Sequence, residues 1–128
     1  MKFIIETGIP QHKMRYHSVG DYFENPDGSW TIQVSDLGDW RSEVAVALHE
    51  LTEVCICIHK GIPEPDILAF DIDFEDNPLS VGEPGDDPRA PYYPEHQFSD
   101  AIERLFVPML GLTWYQHNKN CESPFEDE

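Results

Sequence analysis

Basic residues are scarce in this sequence of 128 residues. It contains 8 Lys and Arg against 25 Asp and Glu, which gives a formal net charge of −17. Proteins that bind the phosphate backbone of nucleic acids depend on Lys and Arg, and so do proteins that dock on an anionic membrane surface. The composition therefore disfavours both a nucleic-acid partner and a membrane partner. It is typical of a protein that binds a cation or a basic partner.

Cysteine is also rare, and long apolar runs are absent from the sequence. Three cysteines do not make a disulfide framework, and Cys55 and Cys57 are two positions apart in a predicted helix, so they point in different directions. No apolar segment approaches the roughly 20 residues of a membrane helix, and residues 1–10 lack the apolar core of a signal peptide. We therefore expect a cytoplasmic protein in which these two residues and Cys121 are free thiols.

The length favours a single domain, which we predict over residues 1–121 and which is followed by an acidic tail at residues 122–128. Hydrophobic residues make up 40% of the chain, enough for a core. The turn signal Asn25-Pro26-Asp27-Gly28 precedes alternating apolar residues and predicts a hairpin at about residues 18–35. A further short strand is expected at residues 2–6.

Two helices are predicted after the hairpin. A helical pattern runs over about residues 41–60, with Asp39 as its N-terminal cap, and a second helix is predicted over about residues 95–107. Residues 65–75 fit either a short helix or an extended acidic segment, and the proline-rich residues 77–94 predict a long loop. The sequence therefore predicts an α+β fold in which a small antiparallel sheet packs on the first helix and the second helix crosses it.

The first predicted helix carries the segment His49-Glu50-Leu51-Thr52-Glu53. A spacing of four places His49 and Glu53 one turn apart on one face, where an imidazole and a carboxylate can share a metal ion. Glu50 lies about 100° round the helix, within reach of a water molecule at the metal rather than of the metal itself. This is the arrangement of the His-Glu-x-x-His helix of zinc proteases, with Glu in place of the second His. The alternative is an ordinary helix with solvated carboxylates and a packed His.

One face of this helix is apolar and is expected to pack on the sheet; it comprises Val44, Ala47, Leu51, Val54, Cys55 and Ile58. His49 and Glu53 lie on the opposite side, yet Val46 and Ile56 are next to them. A solvated face would not need these apolar residues, so we expect a second element to cover this side. A partly buried carboxylate requires a partner, and a metal ion is one such partner.

The second predicted helix supplies candidates for a third metal ligand. Its core face is expected to consist of Phe98, Ala101, Ile102, Leu105 and Met109. Another stripe, spaced by four, three and four, holds His96, Asp100, Glu103 and Val107. His96 is the first choice because neutral imidazole suits zinc, followed by Glu103 and then Asp100, and Cys57 is a candidate fourth ligand. The alternative is that this stripe is a solvated surface.

Several segments together resemble a group of small uncharacterised proteins encoded by bacteriophages and prophages. They are Leu48 to Glu53, Gly85-Asp86-Asp87-Pro88, Pro91-Tyr92, and Glu95-His96-Gln97-Phe98 with Ile102-Glu103-Arg104; the likeness covers roughly residues 40–115. That group implies no established activity. More distantly, the hairpin followed by the His-Glu helix is similar to the core of minimal zincin-like metallopeptidases. This resemblance implies His49 and Glu53 as zinc ligands and Glu50 as the general base.

Two functions from different classes follow as hypotheses. The first is a zinc-dependent, peptidase-like hydrolase that acts on a peptide or protein, with His49, Glu53 and His96 as zinc ligands and Glu50 as the proton acceptor. The second is a non-enzymatic acidic protein that occupies a basic surface of a host partner, which the charge of −17 favours. Metal content distinguishes the two hypotheses.

Overall fold

The structure, a computed structural model, describes residues 1–126. In this part of the chain, the strands are β1 (Phe3–Ile9), β2 (Gly20–Glu24) and β3 (Trp30–Ser35), and the α-helices are α1 (Trp40–Lys60), α2 (Glu64–Asp76), α3 (Tyr93–Met109) and α4 (Trp114–Glu122). Short 3-10 turns occupy Gln11–Lys13, Pro84–Asp86 and Ser123–Phe125. The predicted α+β class is confirmed.

The three strands form one sheet in the order β1-β3-β2. β2 and β3 are the predicted antiparallel hairpin, with Tyr22 opposite Ile32. In its turn the Gly28 N–H donates a 2.9 Å hydrogen bond to the Asn25 carbonyl, and a φ of +86° at this position favours glycine. β1 instead pairs in parallel with β3, so the sheet is mixed rather than wholly antiparallel. Residues 10–19 are long enough to carry the chain from one edge of the sheet to the other.

Helix α1 is the central element of the fold and packs against both the sheet and α3. The Asp39 side chain accepts a 2.9 Å hydrogen bond from the Arg41 N–H, which confirms the predicted cap. The helix ends where Gly61 adopts the left-handed conformation and its N–H donates to the Ile58 carbonyl at 3.1 Å. These local signals place the His-Glu segment in the middle of a long, well-bounded helix.

The face of α1 that meets the sheet differs from the predicted one. Val44 and Cys55 are exposed, whereas Val46 and Cys57 belong to the main core. Gly20 of β2 lies directly against Val46. The ligand side of α1 therefore lies at the junction of β2 and α3 and not opposite the sheet. The prediction was wrong because α1 is covered on two sides, so its apolar residues occur round most of the helix.

Helix α3 turns its polar stripe, and not its apolar stripe, toward the protein interior. Three of the predicted core residues are largely exposed: Phe98 at 52%, Leu105 at 72% and Met109 at 83%. The residues buried in their place are His96, Ser99, Glu103 and Val107. The reversal is stable because the buried polar groups find partners on neighbouring helices; Ser99 Oγ, for example, lies 2.7 Å from Thr52 Oγ1.

The remaining segments are α2, the chain that connects it to α3, and α4. Residues 65–75 are helical, within α2, and the chain between α2 and α3 is irregular apart from the turn at Pro84–Asp86. Helix α4 is not among the helices predicted from the sequence, although Thr113 and Gln116 form a capping box at its start, in which each side chain bonds to the backbone of the other residue. The cap orients α4 so that it packs against α3 and α1.

The predicted acidic tail at residues 122–128 falls only partly within the structure. Ser123–Phe125 forms a 3-10 turn, and the Phe125 ring lies 4.0 Å from the His17 ring, measured between centroids. Residues 127–128 lie outside the described residues. Among residues 1–126, no helix combines the length and the apolar character that crossing a membrane requires.

Candidate metal centre

Three buried donor atoms meet where α1 and α3 pack. His49 Nε2 lies 3.1 Å from His96 Nδ1 and 3.5 Å from Glu53 Oε1, and His96 Nδ1 lies 2.9 Å from the same carboxylate oxygen. The exposed fraction of each residue is 6% or less. Tetrahedral zinc with bonds of about 2.0–2.1 Å places neighbouring donors about 3.3 Å apart. The convergence expected from the two helical stripes is therefore found, with a spacing that fits a small divalent cation.

The charges around these atoms favour a cation. Burial alone would lower the pKa of His49, but its contacts with Glu103 and Glu53 outweigh burial and raise the pKa to about 12. Burial would also lower the pKa of His96, but contact with Glu53 raises it to about 10. Burial would raise the pKa of Glu53, but the two imidazoles outweigh this effect and lower it. Two protonated imidazoles with nitrogens 3.1 Å apart repel each other. One metal ion in place of the two protons removes this repulsion.

Glu103, the second choice for the third ligand, lies on the opposite side of His49. Its Oε1 is 2.8 Å from His49 Nδ1, and its other oxygen contacts His117 Nε2 on α4. The contact with Nδ1 is an ion pair rather than an aligned hydrogen bond. A carboxylate behind a metal-binding His fixes the ring and strengthens the nitrogen that faces the metal. Asp100, the third choice, is half-buried and forms with His49 and Glu103 another group of donors within 4.8 Å of one another. His96 is the residue that joins His49 and Glu53, and all three members of that group are buried.

The loop before α3 covers the outer side of His96. Gly85 is buried, and a Cβ at this position would lie 2.3 Å from the Cγ of the imidazole ring, so only glycine fits without movement. His96 Nε2 lies 3.4 Å from both Glu83 Oε2 and Asp86 Oδ1. Gln97 donates a 3.0 Å hydrogen bond to the same Asp86 oxygen and so ties the loop to α3. The loop thereby fixes the ring of the proposed ligand.

A cleft of about 730 Å³ opens beside the donor atoms. Glu50 is partly buried and lines this cleft together with His49, Glu53 and His96. It packs against Gly20 of β2, where a Cβ would lie 2.7 Å from Glu50 Oε1. Burial and the charge of Glu53 raise the pKa of Glu50 well above its usual value, which makes its carboxylate a stronger base. Its catalytic role stays a prediction.

A group of tyrosine hydroxyls on the cleft wall is absent from the sequence-based predictions. Asp71 accepts hydrogen bonds from the Tyr16 hydroxyl at 2.7 Å and from the Tyr92 hydroxyl at 2.5 Å. Burial raises the pKa of Asp71 to about 6, although the two hydroxyls oppose this effect. The three residues come from distant segments of the chain, so no local spacing reveals the group.

All three cysteines are free thiols, as predicted. Cys57, the candidate fourth ligand, is buried, and its Sγ lies 4.0 Å from the Tyr22 hydroxyl. In the described part of the chain, no cluster of donor atoms combines Cys57 with His49. Cys57 therefore occupies a place in the hydrophobic core.

A further pair of donor residues, missed in the sequence, lies on α4. His117 Nε2 contacts Glu103, and Cys121 Sγ lies 3.7 Å from the same nitrogen. His117 is completely buried. The two residues are four positions apart, as His49 and Glu53 are, so helical spacing is the signal that could have revealed them.

Comparison of the chain with models of protein families, with curated proteins and with solved structures finds no match. The resemblance to phage-encoded proteins and to minimal zincins stays a prediction. The donor atoms and the cleft beside them are the observations from which a function must be inferred.

Proposed function

We propose that this protein binds a zinc ion between His49, Glu53 and His96 and uses it to hydrolyse a peptide-like substrate. The observation that supports the proposal best is the convergence of three buried donors at the edge of a cleft that also contains Glu50. Two neutral imidazoles and one carboxylate form the ligand set of well-known catalytic zinc sites, in which a fourth position is left for water. Zinc in such a site lowers the pKa of water and stabilises a developing oxyanion.

The protein's own residues supply orientation and proton transfer. Glu50 lines the cleft with a carboxylate of raised pKa and accepts a proton from water. Glu103 holds the His49 ring through Nδ1, so that Nε2 faces the donor group. The loop at Gly85 fixes the His96 ring and closes the centre on one side. The open side of the cleft is left for the substrate.

The zinc content of purified variants tests the metal-binding part of the proposal. Protein prepared without chelator and without a nickel column should contain zinc, and His49→Ala should lose one equivalent. The same variant should be destabilised by about 3–5 kcal/mol, since the buried carboxylates of Glu53 and Glu103 each lose one of their two imidazole partners. His59→Ala is the matched control, because His59 is exposed on the same helix, and it should retain all the zinc. Equal zinc in His49→Ala and the parent would refute the proposal.

Turnover tests the hydrolytic part. Glu50→Gln should retain the parent's zinc, because Glu50 is not a ligand, but should abolish hydrolysis, because an amide cannot accept the proton. A broad peptide-hydrolysis screen of the parent and the variant measures this difference. Zinc in the parent without cleavage of any peptide would contradict the hydrolase and leave a metal-binding protein.

The cleft also supports the alternative of a basic partner. Its lining contains nine carboxylate residues, against Arg15 and Lys119 as the only Arg or Lys among the described lining residues. Together with the net charge of −17, this lining favours a Lys- or Arg-rich segment as a ligand. Binding of a Lys-rich peptide that weakens with salt and is unchanged in His49→Ala would favour this alternative. Binding that needs zinc would favour the hydrolase.

A further inference from the structure

A second group of donor atoms lies on the other side of Glu103 from His49. Glu103 on α3 contacts His117 Nε2 on α4, and Cys121 Sγ lies 3.7 Å from this nitrogen. One donor atom from each residue lies within 4.8 Å of the other two. In tetrahedral zinc with a Zn–S bond of about 2.3 Å and a Zn–N bond of about 2.0–2.1 Å, sulfur and nitrogen are about 3.6 Å apart. The observed separation of sulfur and nitrogen fits this geometry.

Contacts behind His117 hold its ring in place. His117 Nδ1 lies 2.9 Å from Ser42 Oγ, and Asn120 donates a 3.0 Å hydrogen bond to the same hydroxyl. His117 and Ser42 are both completely buried. Because Nδ1 is engaged by Ser42, Nε2 is the nitrogen that faces Glu103 and Cys121. Support of the nitrogen that points away from the ion is typical of a metal-binding His.

Cys121 connects this group to the cleft. It is partly exposed and lines the cleft together with Glu103, whereas His117 closes the group from behind. An ion can therefore enter from the cleft, and water can complete its coordination. A thiolate, an imidazole and a carboxylate suit zinc, whereas Mg²⁺ and Ca²⁺ select oxygen ligands.

We propose that Glu103, His117 and Cys121 form a second zinc site, separate from the centre at His49. The second site uses none of the three donors of that centre, so it stands or fails independently of the proposed function. Glu103 nevertheless links the two, since its Oε1 contacts His49 Nδ1 and its other oxygen contacts His117. Zinc at the second site fixes Glu103 and thereby orients the His49 ring.

Titration with Co²⁺, followed by absorbance, tests the proposal. A cysteine thiolate bound to Co²⁺ gives a sulfur-to-cobalt charge-transfer band in the near ultraviolet, and the centre at His49 has no sulfur ligand. We expect the parent to bind two equivalents and to show this band, and Cys121→Ser to bind one equivalent without it. Cys55→Ser, a change of the same kind at an exposed thiol, is the control and should behave like the parent.

The outcomes separate this proposal from the first one. One equivalent of Co²⁺ without the band means that only the centre at His49 binds metal, which overturns the second site. A band that survives Cys121→Ser means that the sulfur ligand is Cys55 or Cys57, which also overturns the second site. In His96→Ala, which disables the first centre, the band must remain; its loss in a variant that circular dichroism shows to be folded would equally contradict the second site.

Discussion

The glycine beside His96 offers a test of the metal centre that removes no ligand. A Cβ at Gly85 would lie 2.3 Å from His96 Cγ and 2.4 Å from His96 Nδ1, the proposed donor atom. Ordinary van der Waals contact begins at 3.4 Å, so in Gly85→Ala the ring or the loop must move by roughly 1 Å. Gly85 is not among the glycines with positive φ, so the substitution acts through this contact and not through backbone strain.

We expect Gly85→Ala to weaken zinc binding by about tenfold or more. Overpacking of a buried site costs about 1–3 kcal/mol, and about 1.4 kcal/mol corresponds to a factor of ten in affinity. Competition of the protein with a chromophoric chelator measures the affinity. Urea unfolding of the zinc-free protein measures the part of the effect that falls on the fold itself.

Gly20→Ala is the matched control, because Gly20 on β2 also lines the cleft. Its Cβ would lie 2.7 Å from Glu50 Oε1 and 2.9 Å from Val46 Cγ1, so the substitution should displace the proposed base and not a ligand. Zinc affinity should stay near that of the parent, while any turnover falls. Parent-like zinc affinity in Gly85→Ala would refute the argument that the loop holds His96 in its binding position.

Three further predictions concern charges and thiols. Because burial raises the pKa of Asp71 from 3.8 to about 6, the stability that it contributes is present below about pH 4 and is lost as the pH rises through about 6. The unfolding free energy of Asp71→Asn, measured in urea, should therefore rise by up to about 3 kcal/mol relative to that of the parent between about pH 4 and pH 6.5. A difference between the two proteins that does not change with pH would contradict this. Glu103→Gln should lower the zinc affinity of the centre at His49 by about 10–100-fold. Glu95 is buried on the same helix and paired with Lys60, so Glu95→Gln is the control and should leave this affinity unchanged. Equal affinities in the two variants would argue against the role of Glu103. Thiol titration of denatured protein with chelator and without reductant should count three thiols, and a count of one would reveal a disulfide.

The hairpin and the first helix could be predicted because short-range signals specify them. The Asn-Pro-Asp-Gly turn and the cap at Asp39 depend on residues only a few positions apart. The pairing of β1 and the rotation of α1 depend instead on contacts between distant segments. Since α1 is covered by the sheet on one side and by α3 on another, its apolar pattern does not select one face, and Val44 and Cys55 were placed wrongly.

Helical spacing was enough to predict which residues of α1 and α3 share the face that carries the metal-binding side chains. It was not enough to predict that α3 turns its polar face, and not its apolar face, toward the interior. An amphipathic helix ordinarily buries its apolar face, which favours Phe98 and Leu105 as core residues. α3 buries His96 and Glu103 instead, because Glu53, His49 and His117 satisfy them across the helix interfaces. Those partners lie on other elements, so the sequence of α3 alone carries no signal of them.

Anomalous diffraction at the zinc absorption edge would test the central claim most directly. Crystals grown from protein purified without chelator should show a peak about 2.0–2.2 Å from each of His49 Nε2, Glu53 Oε1 and His96 Nδ1. Crystals supplied with zinc that show no peak between these three atoms would contradict the metal centre.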